Sequence, residues 1–201
     1  MKLRRLAVPM IAITLAATLV ACGSDDATTD PAGVTDATPS SVTGEVALNT
    51  ADVKFAQGMI AHHEQAIEMA EIALDPASGA SPEVVDLATR IQAAQDPEVE
   101  LMTGWLTAAG EPVAMDTSDG HDMSSMEGMM TADQMDGMAA MNGVDFDQMW
   151  LEMMIAHHEG AISQSETVKA DGSNADVLLL AEQIITAQQA EITEMQAILQ
   201  G

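Results

Sequence analysis

The chain has 201 residues and sets 32 acidic side chains against six basic ones, a formal net charge of −26. That balance excludes nucleic-acid binding and opposes contact with anionic headgroups, although for most of the acids it means only a solvated surface. One cysteine excludes an intramolecular disulfide and a Cys-based metal cluster, and 2% aromatic residues with no tyrosine and 17 methionines point to an unusual core.

At the N-terminus Lys2, Arg4 and Arg5 precede an apolar run, Leu6 to Val20, which is broken by Pro9 and meets Leu19-Val20-Ala21-Cys22. A short apolar run ending in small residues before a cysteine reads as a lipoprotein signal peptide over 1–21, with lipid on Cys22. The alternative is a plain membrane anchor with an incidental cysteine. The run is short for a spanning helix. The expected location is the extracytoplasmic face of the cell membrane, held by the lipid, and thiol chemistry at Cys22 is excluded. Residues 22–49 are rich in Asp, Thr, Ser, Pro, Gly and Ala and read as the lipidated cysteine followed by a flexible tether.

Helical signals begin at Thr50, the expected N-cap, with Asp52 in the first turn. The first helix is predicted to end near Asp75-Pro76. Ser81-Pro82-Glu83 supplies the N-cap, N1 proline and first-turn acid of a second helix, which ends near Gly110. A third is expected from about Asp145 to Gly172, and a fourth from Ser173 or Asn174 to the C-terminus. Residues 50–201 then divide into repeat one (50–110), a Met-rich insert (111–144) and repeat two (145–201).

The division rests on an internal repeat. Met59-Ile60-Ala61-His62-His63-Glu64 recurs as Met154-Ile155-Ala156-His157-His158-Glu159, with Asp52 and Phe55 opposite Asp147 and Trp150. In the second helices Val84, Ala88, Ile91, Gln95, Glu98, Met102 and Trp105 answer to Val177, Ala181, Ile184, Gln188, Glu191, Met195 and Ile198. Two helical hairpins in this order predict an all-α four-helix bundle.

Phe55, Met59, His62, Ala66, Met69 and Ala73 form one core stripe, and Ala56, Ile60, His63, Ile67, Ala70 and Leu74 the stripe beside it. Both histidines therefore point inward. Gln95 and Glu98, and Gln188 and Glu191, interrupt apolar stripes at the same height. A buried unpaired carboxylate costs several kcal/mol, so these groups satisfy one another, hold a metal, or both. Met59 and Met154 lie one turn from the histidine pairs, with Met102 and Met195 a turn away.

The candidate metal ligands are therefore His62, His63, His157, His158, Met59, Met154, Met102, Met195, Glu98 and Glu191. Imidazole with thioether suits soft or borderline ions, copper first. Zinc can use the His and Glu residues alone. A carboxylate-bridged di-iron centre needs Glu-x-x-His pairs, whereas here Met stands three residues before His. The competing readings are a small metallo-oxidase and a structural or partner-binding bundle whose His–Gln–Glu network fixes register. A metal binder is preferred to an enzyme, and catalysis of an organic substrate is the weakest reading, since no Ser–His–Asp arrangement, phosphate loop or nucleotide fingerprint is present.

Between the hairpins lie Met115, Met123, Met126, Met129, Met130, Met135, Met138 and Met141, with His121 and Asp122. Thr131 to Asn142 is compatible with a short helix presenting Met135, Met138 and Met141 on one side. Met123 to Met130 lies among Gly, Ser and Asp, a poor place for a core. His121, Met123, Met126, Met129 and Met130 are expected to capture Cu(I) as a secondary site, the alternative being an adaptable apolar lid.

The paired Met-Ile-Ala-His-His-Glu blocks, each followed about thirty residues later by Gln-x-x-Glu-x-x-x-Met, resemble the family known as domain of unknown function 305, over roughly Asp52 to Leu199. The resemblance implies a ferritin-like four-helix bundle, usually exported, with copper binding and tolerance in some members. It implies His62, His63, His157 and His158, with nearby methionines, as ligands. Two departures stand out. Pro97 replaces the equivalent of Ala190 and is expected to kink or restart the second helix before Glu98, and Gln164 stands where the first repeat has Met69.

Overall fold

The structure, a computed structural model, describes residues 47–115 and 126–201. Cys22, the expected signal peptide, most of the expected tether, His121 and Met123 lie outside the described residues.

The first helix, α1 (Thr50–Leu74), starts one residue earlier than expected, with Asn49 as its cap. Asn49 Oδ1 accepts from the Asp52 amide at 2.8 Å while Asp52 Oδ2 accepts from the Asn49 amide at 2.9 Å. An acid at N3 closes this reciprocal box on the asparagine, which is why Thr50 is already helical. After a 3₁₀ turn at Pro76–Ser78, α2 (Pro82–Ala109) is capped by Ser81 and ended by Gly110 at φ 73°. The expected restart at Pro97 does not occur, since α2 runs through it. Pro97 forfeits the bond to the Ala93 carbonyl, but both residues are exposed and water can satisfy that oxygen.

The short α3 (Ala132–Ala139) carries a Thr131–Gln134 capping box and buries Met135 and Met138. The second hairpin is α4 (Gly143–Asp171) and α5 (Ala175–Gln200), the latter capped by Asn174. Among the described residues there is no strand, and none of the helices is long and apolar enough to cross a membrane. The expected all-α bundle of two hairpins is the observed fold.

The hairpins tie to one another at both ends. Asp52, fully buried, accepts from the Ser173 amide at 3.1 Å and hydroxyl at 3.2 Å and from the Asn174 amide at 3.2 Å, gripping the turn of the second hairpin. Asp147 on α4 accepts from the Ser81 amide at 3.1 Å in the turn of the first. The start of α1 thus meets the end of α4 and the reverse, so the two run antiparallel.

Two apolar clusters fill the bundle. One gathers Ala66–Ala73 of α1, Val84–Ile91 of α2, Phe146–Met154 of α4 and Ile192 and Met195 of α5. The other gathers Phe55–Ile60, Met102 and Leu106, Ala161–Val168, and Val177–Ile184. On every long helix the break between clusters falls at the polar residues: His62 and His63, Gln95 and Glu98, His157 and His158, Gln188 and Glu191. A polar layer crosses the core at mid-height. In the first cluster the Trp150 indole donates to the Met69 carbonyl at 2.9 Å, which satisfies its N–H out of water.

Candidate metal centre

His62 and His157 meet at the centre of this layer. Their ring centroids are 3.7 Å apart with the planes tilted by 43°, and neither ring is exposed. All four of their nitrogens lack a hydrogen-bond partner among the described residues. Burial, then the neighbouring His63 ring, pulls the His62 pKa down to about 3; the Glu127 main chain lies close enough to oppose this in part. Burial and then His62, His158 and His63 likewise hold His157 well below the ordinary imidazole value. Both rings are therefore neutral at physiological pH, each keeping one nitrogen lone pair in a dry site.

His63 and His158 flank that pair and turn the other way. His63 Nε2 lies 2.7 Å from Glu98 Oε2, and His158 Nε2 lies 2.7 Å from Glu191 Oε2. A carboxylate only accepts, so the proton sits on Nε2, and in the neutral ring Nδ1 is left with its lone pair. Both Nδ1 atoms are buried without a partner among the described residues, as are the Oε1 atoms of Gln95 and Gln188. Buried polar atoms left without partners are costly.

The thioethers bracket the layer. Met59 and Met102 belong to the cluster on one side and Met154 and Met195 to that on the other, all four with no exposure. Among the described residues no three His, Cys, Asp or Glu side chains close round one metal position. The layer is rich in unshared nitrogen and sulfur, not in a hard-ligand cage. Glu98 and Glu191, expected as ligands, have one oxygen each engaged by an imidazole.

The insert is less uniform than expected. Met126 and Met129 are half-buried, but the expectation of a coreless Met123–Met130 segment is corrected at Met130, which is 7% exposed and packs in the first cluster. Its main chain is clamped by Gln65, whose Oε1 accepts from the Met130 amide at 2.7 Å and whose Nε2 donates to its carbonyl at 2.9 Å. Preceding it, Glu127 and Gly128 lie directly on the backbone of α4 at Gly160, where any Cβ would collide with the Glu127 carbonyl. The Ser163 hydroxyl adds a bond to Glu127 Oε2 at 2.7 Å. These positioning roles were missed in the sequence, where the available signal was Gly160 in the place of Gln65 of the first repeat.

The sequence profile of the family described as domain of unknown function (DUF305) matches residues 52–199. This chain belongs to that family. A DUF305 protein from Streptomyces coelicolor, described as secreted, is 29% identical, with a TM-score of 0.68 over 74% of this chain and 91% of that one. A DUF305 fragment from Deinococcus radiodurans is 28% identical at a TM-score of 0.68, over 76% and 97%. CopM in its Cu(II)-bound form is 32% identical at a TM-score of 0.61, over 74% and 95%, and it has also been solved with Cu(I) and with Ag. No curated protein matches the sequence.

Proposed function

We propose that this DUF305 protein binds copper outside the cytoplasm for buffering, storage or hand-over, with lipid on Cys22 tethering the bundle (residues 50–201) through the linker 22–49. The observation that carries this reading is the dry, unpartnered His62–His157 pair. A network kept only for helix register satisfies its own polar atoms, and among the described residues this one leaves the nitrogens of both inner rings without hydrogen-bond partners. Glu98 and Glu191 are assigned to orient His63 and His158, as carboxylates commonly do behind metal-bound imidazoles. Met59, Met102, Met154 and Met195 supply thioethers on either side. Imidazole with thioether favours Cu(I) over zinc or iron, which take harder ligand sets, and similarity to CopM supports the same ion. His121 and Met123, with Met126 and Met129, are assigned a secondary capture role, while the burial of Met130 suits it better to anchoring.

The test is an anaerobic Cu(I) competition titration of the full chain against a chromogenic chelator, beside a variant with His62, His63, His157 and His158 changed to Ala. Binding lost in the variant is the expected result. Equal binding in both would move the site out of the bundle, and binding in neither would end the copper reading.

A further inference from the structure

The two repeats differ where the insert lies on them. Gly58 stands opposite Met153, Gln65 opposite Gly160, Glu68 opposite Ser163 and Met69 opposite Gln164. Gln65 and Gly160 hold the main chain of 127–130, and Ser163 holds the Glu127 side chain. Gly58 serves another purpose. It is buried on α1, one turn before His62, and its missing side chain leaves a notch. A Cβ placed there would lie 3.9 Å from the Met115 sulfur, 3.9 Å from the Met126 sulfur and 3.1 Å from Gln164 Oε1. Three soft or neutral donors from three segments surround one point, and a methionine at this position, as in the second repeat, would fill it.

The notch faces both ways. Met115, Met126 and Gln164 are partly exposed, and Gln164 also lines a surface groove between α1 and α4 with Lys54, Phe55 and Thr167. On the inner side the residue after Met126 brings its main chain beside the His62 ring, and Gly58 is about 6 Å along the helix axis from His62. The deep donors, by contrast, have no exposure at all: His62, His157, Met59 and Met154 are sealed. An ion bound there must first be held somewhere that touches both solvent and the layer. The Gln164 amide nitrogen is likewise buried and without a partner among the described residues.

We propose that Met115 and Met126, gathered over Gly58 beside Gln164, form an entry site that receives Cu(I) at the surface and passes it to the His62–His157 layer. Two unbranched side chains can rotate to close their sulfurs on an ion and open again. The transfer is a ligand exchange: each sulfur–copper bond that breaks is replaced by a nitrogen–copper or sulfur–copper bond inside, and copper stays in the +1 state. This inference rests on the copper reading above and adds the route.

The experiment uses the full chain with ¹³C-methyl-labelled methionine and Ag(I), a redox-inert soft cation, added in substoichiometric steps. Methyl and imidazole signals are followed by NMR, and Cu(I) uptake is timed in parallel by stopped flow. The Met115 and Met126 methyls are expected to shift with the first additions. Changing both to Leu, which keeps their bulk, is expected to slow Cu(I) uptake about tenfold, equivalent to about 1.4 kcal/mol on the rate-limiting barrier. Gly58→Ala, crowding Gln164, should slow uptake in the same direction. If imidazole signals respond while the two methyls do not, and the double variant loads at the wild-type rate, the entry site is refuted and the copper reading stands. If neither set responds, both fall. The wild-type titration decides the point even if a variant folds poorly.

Discussion

Acidifying the metal-free protein should destabilise it through its inner histidines. The His62 pKa is about 3 in the fold against about 6.5 in an unfolded chain. Between those values the unfolded chain takes up a proton that the folded one refuses, so stability is retained above about pH 6.5 and falls as the pH drops towards 3. Each pH unit in that window costs about 1.4 kcal/mol for one such group. Going from about pH 7.5 to about pH 4.5, His62 alone therefore removes about 3 kcal/mol, and His157, shifted the same way, removes more. The comparison is with a variant carrying Gln at both positions, which keeps neutral polar side chains while every surface carboxylate titrates as before. Urea unfolding followed by far-UV circular dichroism and by fluorescence of buried Trp150, with chelator present, gives both stabilities. The wild type should lose at least about 3 kcal/mol more than the variant over this range. Equal losses would mean that the inner rings are hydrated or protonated in the native state, and the dry layer would be wrong.

Two further outcomes follow from the geometry. Glu98→Gln and Glu191→Gln should each weaken Cu(I) affinity about tenfold or more by releasing the orientation of His63 or His158, measured by chelator competition, with unchanged helicity showing that the bundle survives. Gly160→Ala should lift Glu127 and Gly128 off α4, because its methyl occupies the place of the Glu127 carbonyl; amide exchange at Met130, now held by Gln65, should accelerate, and unchanged protection there would show that the strap does not depend on this contact.

Much of this was legible from spacing. The repeat gave the hairpins, and four-and-three periodicity put His62, His63, His157 and His158 inside, because helical phase depends only on local sequence. What spacing could not supply was direction across the layer. Nothing along the chain distinguishes His62, which faces its counterpart, from His63, which turns to Glu98; that choice is made by which helix lies opposite. Glu98 and Glu191 were accordingly grouped with the histidines without a partner assigned to each, and in the fold each sets one oxygen against an imidazole. The insert was misread at Met130 for a similar reason. Its flanks are polar and Gly-rich, but Gln65 and Gly160, distant in sequence, hold the main chain of 127–130 where Met130 can reach the first cluster.

The reciprocal grip of Asp52 on the Ser173 turn and of Asp147 on the Ser81 turn has the form of an isologous contact, in which one patch meets its own equivalent about a twofold axis. A single hairpin of this kind would present a self-complementary face and a half-layer of imidazoles, complete only when two copies meet. Joining both copies in one chain makes the pairing independent of concentration. It also frees the halves to diverge: Gly58 and Gly160 are changes that a true homodimer would have had to make twice, on both sides of its axis.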